Sequence, residues 1–180
     1  MRFDFAPMEG VTDYVFRAIH HRYFPGIDRY FAPFLSPTMD GRFTGKKGKD
    51  VLPENNTGLD LVPQLLTKRP EDFHWAAQAL ADLGYTQVDL NLGCPSGTVV
   101  AKGKGSGLLA DLSALEAFLD GIFEQTPLEI SIKTRLGMRD PEEFPALLEL
   151  FNRYPVQELT VHARVRADFY KLSARWDWFG

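Results

Sequence analysis

The sequence feature that most constrains the fold is a sixfold alternation of short apolar segments with helix-like segments. The apolar segments span residues 2–7, 28–34, 59–65, 86–91, 128–133 and 158–162. Nearly all of them are apolar through the middle, which is typical of strands that are buried on both faces of a parallel sheet covered by helices. The sequence therefore predicts an α/β fold.

Helix boundaries fall between these strands. Thr12, Pro70 and Asp140 are each followed by a pattern that favours a helix start. Helical spacing predicts the buried face of the first helix as Val15, Phe16, Ile19 and Tyr23. The same spacing predicts Phe73, Ala77, Leu80 and Leu83 for the second, and Leu115, Phe118, Leu119 and Ile122 for a later one. Residues 36–58 and 93–107 lack a steady period and are predicted to be loops.

Two closures of such a sheet compete, an open doubly wound sheet and a (β/α)8 barrel. No G-x-G-x-x-G follows the first strand, which counts against a dinucleotide-binding open sheet. Barrels gather their chemistry at the carboxyl ends of the strands. Residues with functional side chains lie at or near those ends: Met8, Gln64, Asn91, Lys133 and His162. We therefore predict a TIM (β/α)8 barrel.

The predicted barrel is incomplete. A full barrel needs eight strands and about 250 residues, whereas the chain has 180 residues and provides six strands. We expect a piece of about six β/α units, with the last two units absent. Such a piece has two open sheet edges, so self-association is plausible.

Composition limits the partners and the compartment. The net charge is −4, from 20 basic and 24 acidic residues, so contact with RNA would require a local patch. The single cysteine excludes an internal disulfide and fits a reducing cytoplasm. Residues 1–10 do not form a signal peptide, and no stretch approaches the roughly 20 apolar residues of a membrane span. We expect a cytoplasmic protein without membrane contact.

One segment narrows the function. Residues 88–96 read VDLNLGCPS and are followed by GTVVAKGKGSGLL at 97–109. This segment resembles the signature of the tRNA-dihydrouridine synthases, in which an asparagine at a strand end precedes Gly-Cys-Pro and a loop rich in lysine and glycine. Further matches lie in the same chain order: residues 6–13, Gln64, residues 133–137, residues 161–164 and Tyr170. The resemblance covers essentially the whole chain.

The resemblance implies an enzyme that uses FMN, with NADPH as reductant, to reduce the C5–C6 double bond of specific uridines in tRNA. Cys94 would donate the proton to C5. A free cysteine is most often a small buried hydrophobe, but Cys94 falls in a glycine-flanked loop at a strand end. A thiol with an ordinary pKa near 8.5 is mostly protonated at pH 7 and can act as an acid.

The resemblance also implies the cofactor contacts. Pro7, Met8 and Glu9 would run beneath the flavin ring, and Gln64 and Asn91 would lie at its edge or near the uracil. Lys133 would stand near the N1–C2 carbonyl of the flavin, and His162 would bind the flavin as well. Each residue type also has a non-functional explanation: a solvated strand-end lysine, a core histidine, or an amide bonded to nearby backbone. No metal site is predicted.

Contacts with tRNA are expected around the cavity mouth. Lys102 and Lys104 lie in the glycine-rich loop beside Cys94, where they would suit phosphates, although a solvated loop is an equal alternative. Arg135, Arg164 and Arg166 could meet phosphates or stack on bases, and Tyr170 matches the family. In the family a C-terminal helical domain shares tRNA binding. We expect residues 1–180 to be the FMN-binding catalytic barrel domain without that helical domain.

Phosphate sites of such barrels are usually built by the loops after strands seven and eight. Since those strands are not expected here, we predict weak or no FMN retention by the chain alone.

Two alternatives remain at this point. Another FMN barrel, such as a dihydroorotate dehydrogenase, acts on the same two pyrimidine carbons, but Gly-Cys-Pro with the basic glycine loop argues against it, as does the His-x-Arg of the sixth strand. The second alternative is a non-enzymatic tRNA-binding or assembly fragment.

Overall fold

The computed structural model describes residues 1–37, 41, 43 and 45–179. The strands are β1 (Asp4–Phe5), β2 (Arg29–Phe31), β3 (Leu61–Val62), β4 (Gln64–Leu65), β5 (Gln87–Leu92), β6 (Glu129–Arg135) and β7 (Leu159–His162). The helices are α1 (Tyr14–Tyr23), α2 (Gly45–Lys49), α3 (Pro70–Asp82), α4 (Gly97–Val100), α5 (Leu112–Glu124) and α6 (Phe144–Phe151). Every pair of neighbouring strands is parallel and the strands follow chain order. The predicted α/β class is confirmed.

The third predicted strand is interrupted at Pro63, which separates β3 from β4. Proline has no N–H for a strand ladder, so a strand is weakened there. β3 pairs with β2, and β4 pairs with β5. The carbonyl of Pro63 still accepts from the N–H of Asp89 at 2.8 Å, and Leu35 exchanges hydrogen bonds with Gln64 and Leu66 at 2.8 Å. Residues 61–65 therefore connect the two sheets into one continuous wall. In this wall β3 and β4 together occupy one of six strand positions.

This wall curves as part of a barrel. Arg2, which precedes β1, forms an ion pair with Glu158, which precedes β7, although 156 residues separate them. Arg29 at the start of β2 lies 3.9 Å from the same carboxylate. The amino ends of the outermost strands are thereby brought together. The fold is a partial, barrel-like piece, as predicted.

Two of the predicted helix faces are confirmed. Phe73, Ala77 and Leu80 of α3 are buried, whereas Leu83, which follows the last residue of α3, is half-buried. All four residues predicted for α5 are buried. The prediction for α1 is wrong for three of its four residues: Val15, Ile19 and Tyr23 are 47%, 54% and 64% exposed. Only Phe16 is half-buried, with its ring beside that of Phe5. Its cap is Asp13 rather than Thr12, because the Asp13 carboxylate accepts from the N–H of Phe16 at 3.0 Å.

Arg17 explains the rotation of α1. Its side chain is fully buried and donates to the carbonyl of Thr12 at 2.8 Å, to the carbonyl of Asp50 at 2.5 Å and to Oδ1 of Asn56 at 2.9 Å. A buried charge is tolerated only when it is hydrogen-bonded in this way. These acceptors draw the Arg17 side of the helix inward and leave the Val15–Ile19 side outward.

The predicted loops contain short helices. Residues 36–58 include α2 and a 3₁₀ helix at Pro53–Asn55, while residues 38–40, 42 and 44 of that loop lie outside the described residues. Residues 93–107 include α4 and the beginning of a 3₁₀ helix at Gly105–Ala110. The predicted helix start at Asp140 is confirmed, since its carboxylate accepts from the N–H of Glu142 and its own N–H donates to Glu143. Across the described ranges, no helix is long and apolar enough to cross a membrane.

Candidate active site

A cavity of about 780 Å³ opens at the carboxyl ends of the strands. Every residue predicted to contact a cofactor lines it, together with the predicted proton donor and two of the predicted substrate contacts: Pro7, Met8, Glu9, Gln64, Asn91, Cys94, Lys133, Arg135, His162 and Tyr170. The volume is within the range of small-molecule sites. Residues that are scattered over more than 160 positions of the sequence thus meet in one place.

Part of the wall is apolar, and sequence reasoning missed several of its members. Ala6, Pro33, Phe34, Val161 and Phe169 line the cavity. Phe34 ends the second predicted strand and Ala6 falls in the first, so their strand-end position was the signal that could have identified them. A flat apolar group can pack against such a wall while its edge meets the polar residues.

The backbone around Cys94 is held at three points. The N–H of Cys94 donates to Oδ1 of Asn91 at 2.9 Å. Its carbonyl accepts from Oγ of Ser106 at 2.8 Å, and the carbonyl of Gly93 accepts from Nε of Arg135 at 2.8 Å. Cys94 itself is a free, half-buried cysteine on the cavity wall. The thiol is therefore carried by a fixed loop, not packed in the core.

A line of side-chain hydrogen bonds leads from this loop into the sheet. Nδ2 of Asn91 donates to Oε1 of Gln64 at 2.7 Å. Nε2 of Gln64 donates to Oδ2 of Asp89 at 2.6 Å, and Oγ of Ser131 donates to Oδ1 of Asp89 at 2.8 Å. Asn91 and Gln64 were predicted from the sequence, whereas Asp89 and Ser131 were not.

Asp89 is completely buried beneath the cavity. Burial raises the pKa of its carboxyl to about 6, against the opposing effects of the hydrogen bonds from Gln64 and Ser131 and the charge of Lys133. At pH 7 the carboxyl is thus still ionised and acts only as an acceptor.

Lys133 lies beside Asn91 in the β5–β6 pairing and lines the cavity. Burial lowers the pKa of its ammonium group, and the nearby charge of Asp89 opposes that decrease. A half-buried cation of this kind gains from an anionic or acceptor-rich group placed against it.

His162 is neutral at pH 7. Burial, together with the charges of Arg135, Lys133 and Arg164, lowers its pKa to about 4. Nη1 of Arg164 lies 2.7 Å from Nε2 of His162. Since an arginine can only donate, Nε2 is the acceptor and the ring proton is on Nδ1.

Arg135, a predicted tRNA contact, lines the cavity, but its side chain is buried and not exposed on the surface. It is only 1% exposed, and besides the Gly93 bond its Nη1 donates to the carbonyls of Val165 and Phe169 at 3.1 and 2.9 Å. Its guanidinium also lies over the ring of Tyr170, 5.2 Å from the centroid. These contacts connect the Gly93–Cys94 loop with the segment from Val165 to Phe169.

The remaining basic residues lie away from the cavity lining. Lys102 is exposed and Lys104 half-buried in the loop after α4. Arg164 donates from Nε to the carbonyl of Leu172 at 2.5 Å. Arg166 lies over the ring of Phe169 at 5.0 Å, and its buried Nε has no hydrogen-bond partner among the described residues. Lys68 is a further basic residue close to this loop, because a Cβ on Gly103 would lie 3.4 Å from its Nζ.

The polar part of the cavity is rich in donors. Gln64 and Asn91 each use one N–H in the hydrogen-bonded line and keep a second, and Lys133 adds an ammonium group. Within the described ranges, no group of His, Cys, Asp and Glu side chains is arranged to hold a metal ion. The fold and the site therefore define an α/β barrel-type protein whose cavity suits a flat organic group with acceptors along its edge.

The chain belongs to the dihydrouridine synthase family. The family model described as "Dihydrouridine synthase (Dus)" matches residues 4–179. The match spans all seven strands, the Cys94 loop and the cavity.

Curated relatives agree with this assignment. The chain is 33% identical over 180 residues to the "Probable tRNA-dihydrouridine synthase 2" of Bacillus subtilis, with 97% of this chain and 54% of the relative covered. It is 33% identical over 177 residues to the "Probable tRNA-dihydrouridine synthase 1" of Synechocystis sp., with 96% and 48% covered. A "Probable tRNA-dihydrouridine synthase" of Staphylococcus epidermidis is 30% identical over 184 residues, with 97% and 53% covered. The chain thus spans about half the length of these relatives.

Proposed function

We propose that this chain carries the catalytic part of a tRNA-dihydrouridine synthase, in which Cys94 protonates a uracil that is being reduced. The observation that supports this most strongly is the position of the chain's single cysteine. It lies in a loop fixed at three points, on the wall of a cavity that is rich in hydrogen-bond donors.

The cavity residues fit a flavin such as FMN. An isoalloxazine ring is flat and largely apolar, and its pyrimidine edge carries carbonyl oxygens and ring nitrogens that accept hydrogen bonds. The apolar wall around Pro7, Met8 and Phe34 would pack against the ring. Gln64, Asn91 and Lys133 would donate to its edge, and His162 would do so from Nδ1.

The chemistry divides between the cofactor and the chain. The chemistry that bound, reduced FMN would supply is a hydride for C6 of the uracil, and NADPH is the proposed reductant. The Cys94 thiol supplies the proton that C5 requires, so that the C5–C6 double bond becomes a single bond and the thiolate regains a proton from solvent. The ammonium of Lys133 would offset negative charge at the flavin edge.

Contacts with the RNA would come from residues around the mouth of the cavity. Lys102 and Lys104 are placed in the loop beside Cys94, and we add Lys68, which lies against the same loop. Arg164 and Arg166 remain candidates as well, with Tyr170, which is 70% exposed, as a stacking surface. Arg135 would act as a positioning residue, because its Nε and Nη1 donate to the carbonyls of Gly93, Val165 and Phe169. A cytoplasmic location accords with such a substrate.

The decisive experiment measures dihydrouridine in unmodified tRNA by mass spectrometry after incubation with the chain, added FMN and NADPH. Wild type and Cys94→Ala are compared at equal flavin saturation, with flavin binding followed by fluorescence quenching. We expect dihydrouridine formation in the wild type and its loss in Cys94→Ala, while flavin binding stays unchanged. Equal activity of the two proteins would remove Cys94 from the mechanism.

The flavin contacts can be tested separately with riboflavin, which has the ring of FMN but no phosphate. If the chain provides mainly ring contacts, the two flavins should bind with similar affinity. Lys133→Met should weaken both, whereas Lys171→Met, at an exposed position, should weaken neither. Stoichiometric FMN that survives purification would contradict the expectation of weak retention.

The family match gives no support to the dihydroorotate dehydrogenase alternative. Oxidation of free dihydroorotate without action on tRNA would nevertheless restore it. A chain that binds tRNA in a gel-shift assay but never reduces it, with FMN bound, would instead be a binding fragment.

A further inference from the structure

We propose that Asp89 is a positioning residue that fixes the orientation of the Gln64 and Asn91 amides and, through them, the backbone of Cys94. The orientation itself is a property of this chain, and only its consequence for flavin and uracil rests on the proposed function.

The line of hydrogen bonds has a single direction. The backbone N–H of Cys94 can only donate, so the oxygen of the Asn91 amide must face it, at 2.9 Å. The nitrogen of Asn91 then faces Gln64, whose oxygen accepts at 2.7 Å. The nitrogen of Gln64 consequently faces position 89, which must supply an acceptor.

Asp89 satisfies this requirement better than a neutral residue would. An ionised carboxylate has no hydrogen to donate. If either amide flipped, two donors or two acceptors would therefore face each other. Ser131 occupies its second oxygen at 2.8 Å, and this contact fixes the rotation of the carboxylate. Asp89 and Ser131 are direct partners in the β5–β6 pairing, so the sheet itself holds both ends.

The arrangement determines what the cavity presents. Because the oxygens of both amides are engaged within the line, a second N–H remains on each of Gln64 and Asn91, and both residues line the cavity. If the two amides were reversed, their oxygens would face the cavity in place of these N–H groups. Those oxygens would repel the acceptors along the edge of a flavin or uracil. Asp89 therefore makes Gln64 and Asn91 hydrogen-bond donors toward the cavity, although it does not itself contact the bound group.

The single cysteine offers a readout that needs no flavin. The alkylation rate of Cys94 by iodoacetamide reports how firmly its loop is held, since no other thiol is present. The side-chain NH₂ resonances of Gln64 and Asn91, measured in the ¹⁵N-labelled chain, report the amides directly. Asp72→Asn is the control, because Asp72 is a buried acid of α3 outside the line.

Asp89→Leu should shift the NH₂ resonances of both amides and change the alkylation rate about fivefold, the effect of one lost hydrogen bond. Asp89→Asn, which keeps an acceptor oxygen, should stay within about twofold of the wild type. A folded Asp89→Leu protein with unchanged resonances and rate would overturn the proposal.

An exchange of charge provides a stricter test that does not rely on the leucine variant folding. Gln64→Glu alone places two carboxylates against each other and should disturb the loop. In the double variant Gln64→Glu/Asp89→Asn, the introduced amide at position 89 can donate to the introduced carboxylate at 64, which still accepts from Asn91. The double variant should restore the wild-type alkylation rate; failure to restore it in a folded protein would refute the directional line.

The same variants separate this proposal from the proposed function. If the resonances respond as expected but no tRNA is ever reduced, the orientation stands and the enzymatic function fails. If tRNA is reduced but Asp89→Leu leaves flavin affinity, KM and kcat as in the wild type, the function stands and the positioning role fails.

Discussion

Arg135 donates from Nε to the carbonyl of Gly93 at 2.8 Å, and this bond ties the end of β6 to the loop that carries Cys94. The same guanidinium holds the carbonyl of Phe169 at 2.9 Å. Phe169 has a φ of 51°, a left-handed conformation that bulky residues rarely adopt. One buried side chain thus connects the loop that carries Cys94 with Phe169, which lines the cavity.

Arg135→Lys should therefore loosen both loops while keeping the charge. A lysine has a single donor group and cannot reach three carbonyls in the fork geometry of arginine. We expect the free energy of unfolding to fall by about 2–3 kcal/mol, as buried carbonyls lose their donors, and Cys94 to be alkylated faster. Urea unfolding measures the first effect. Arg139→Lys, at an exposed position, should change neither quantity, and equal unfolding midpoints for the two variants would contradict the role of Arg135.

Gly105 sets the distance between the basic loop and Cys94. Its φ is +56°, and a Cβ there would lie 3.0 Å from Cβ and from the carbonyl oxygen of Cys94. Gly105→Ala should therefore cost about 1–3 kcal/mol of unfolding free energy through backbone strain and should displace the cysteine. Gly97→Ala is the matched control in the same loop, because a Cβ there meets nothing within 4 Å. Thermal unfolding followed by circular dichroism provides the comparison. Equal changes in melting temperature for the two variants would show that the backbone at Gly105 is not constrained.

The residues that meet at the cavity were predictable because of one geometric rule. In parallel sheets the strand ends converge, so Gln64, Asn91, Lys133 and His162 could be placed together from their strand-end positions alone. Met8 shares this strand-end position, whereas Pro7 and Glu9 came from the family resemblance.

The predictions from the sequence were wrong or incomplete where a specific side-chain contact had more effect than the periodic pattern of apolar residues. The Val15–Ile19 stripe has helical spacing, but the three acceptors of Arg17 turn the other side of α1 inward. Asp89 alternates with apolar neighbours in β5, and its partners on β4 and β6 are distant in sequence. Spacing along one segment cannot show such partners, so Asp89 and Ser131 were recognised as parts of the site only in the structure.

The pH dependence of stability should contain two opposing contributions. The pKa of Asp89 is about 6 in the folded protein against 3.8 ordinarily, so the folded state binds the extra proton and the unfolding free energy falls as pH rises from about 4 to 6. The pKa of His162 is about 4 against 6.5, so its contribution rises with pH over nearly the same window. In the wild type the two effects should largely cancel.

Single substitutions should reveal each contribution. Asp89→Asn leaves only the histidine effect, so its stability should increase from about pH 4 to 6.5. His162→Gln leaves only the carboxyl effect, and its stability should decrease by up to about 3 kcal/mol over that range, since each pKa unit corresponds to about 1.4 kcal/mol. Urea unfolding at both pH values provides the comparison. Slopes of the same sign in the two variants would contradict these assignments.

The outward side of α1 should promote self-association. Val15, Ile19 and Tyr23 of α1 are between 47% and 64% exposed and follow one another at four-residue spacing, which forms an apolar stripe along the helix. We expect concentration-dependent association in sedimentation velocity, weakened in the double variant Val15→Glu/Ile19→Glu. The control Gln78→Glu/Gln125→Glu adds the same two negative charges at exposed positions elsewhere and should associate like the wild type. If both double variants dissociate equally, net charge rather than the stripe governs the association, and a wild type that stays monomeric at high concentration would show that the stripe does not drive association.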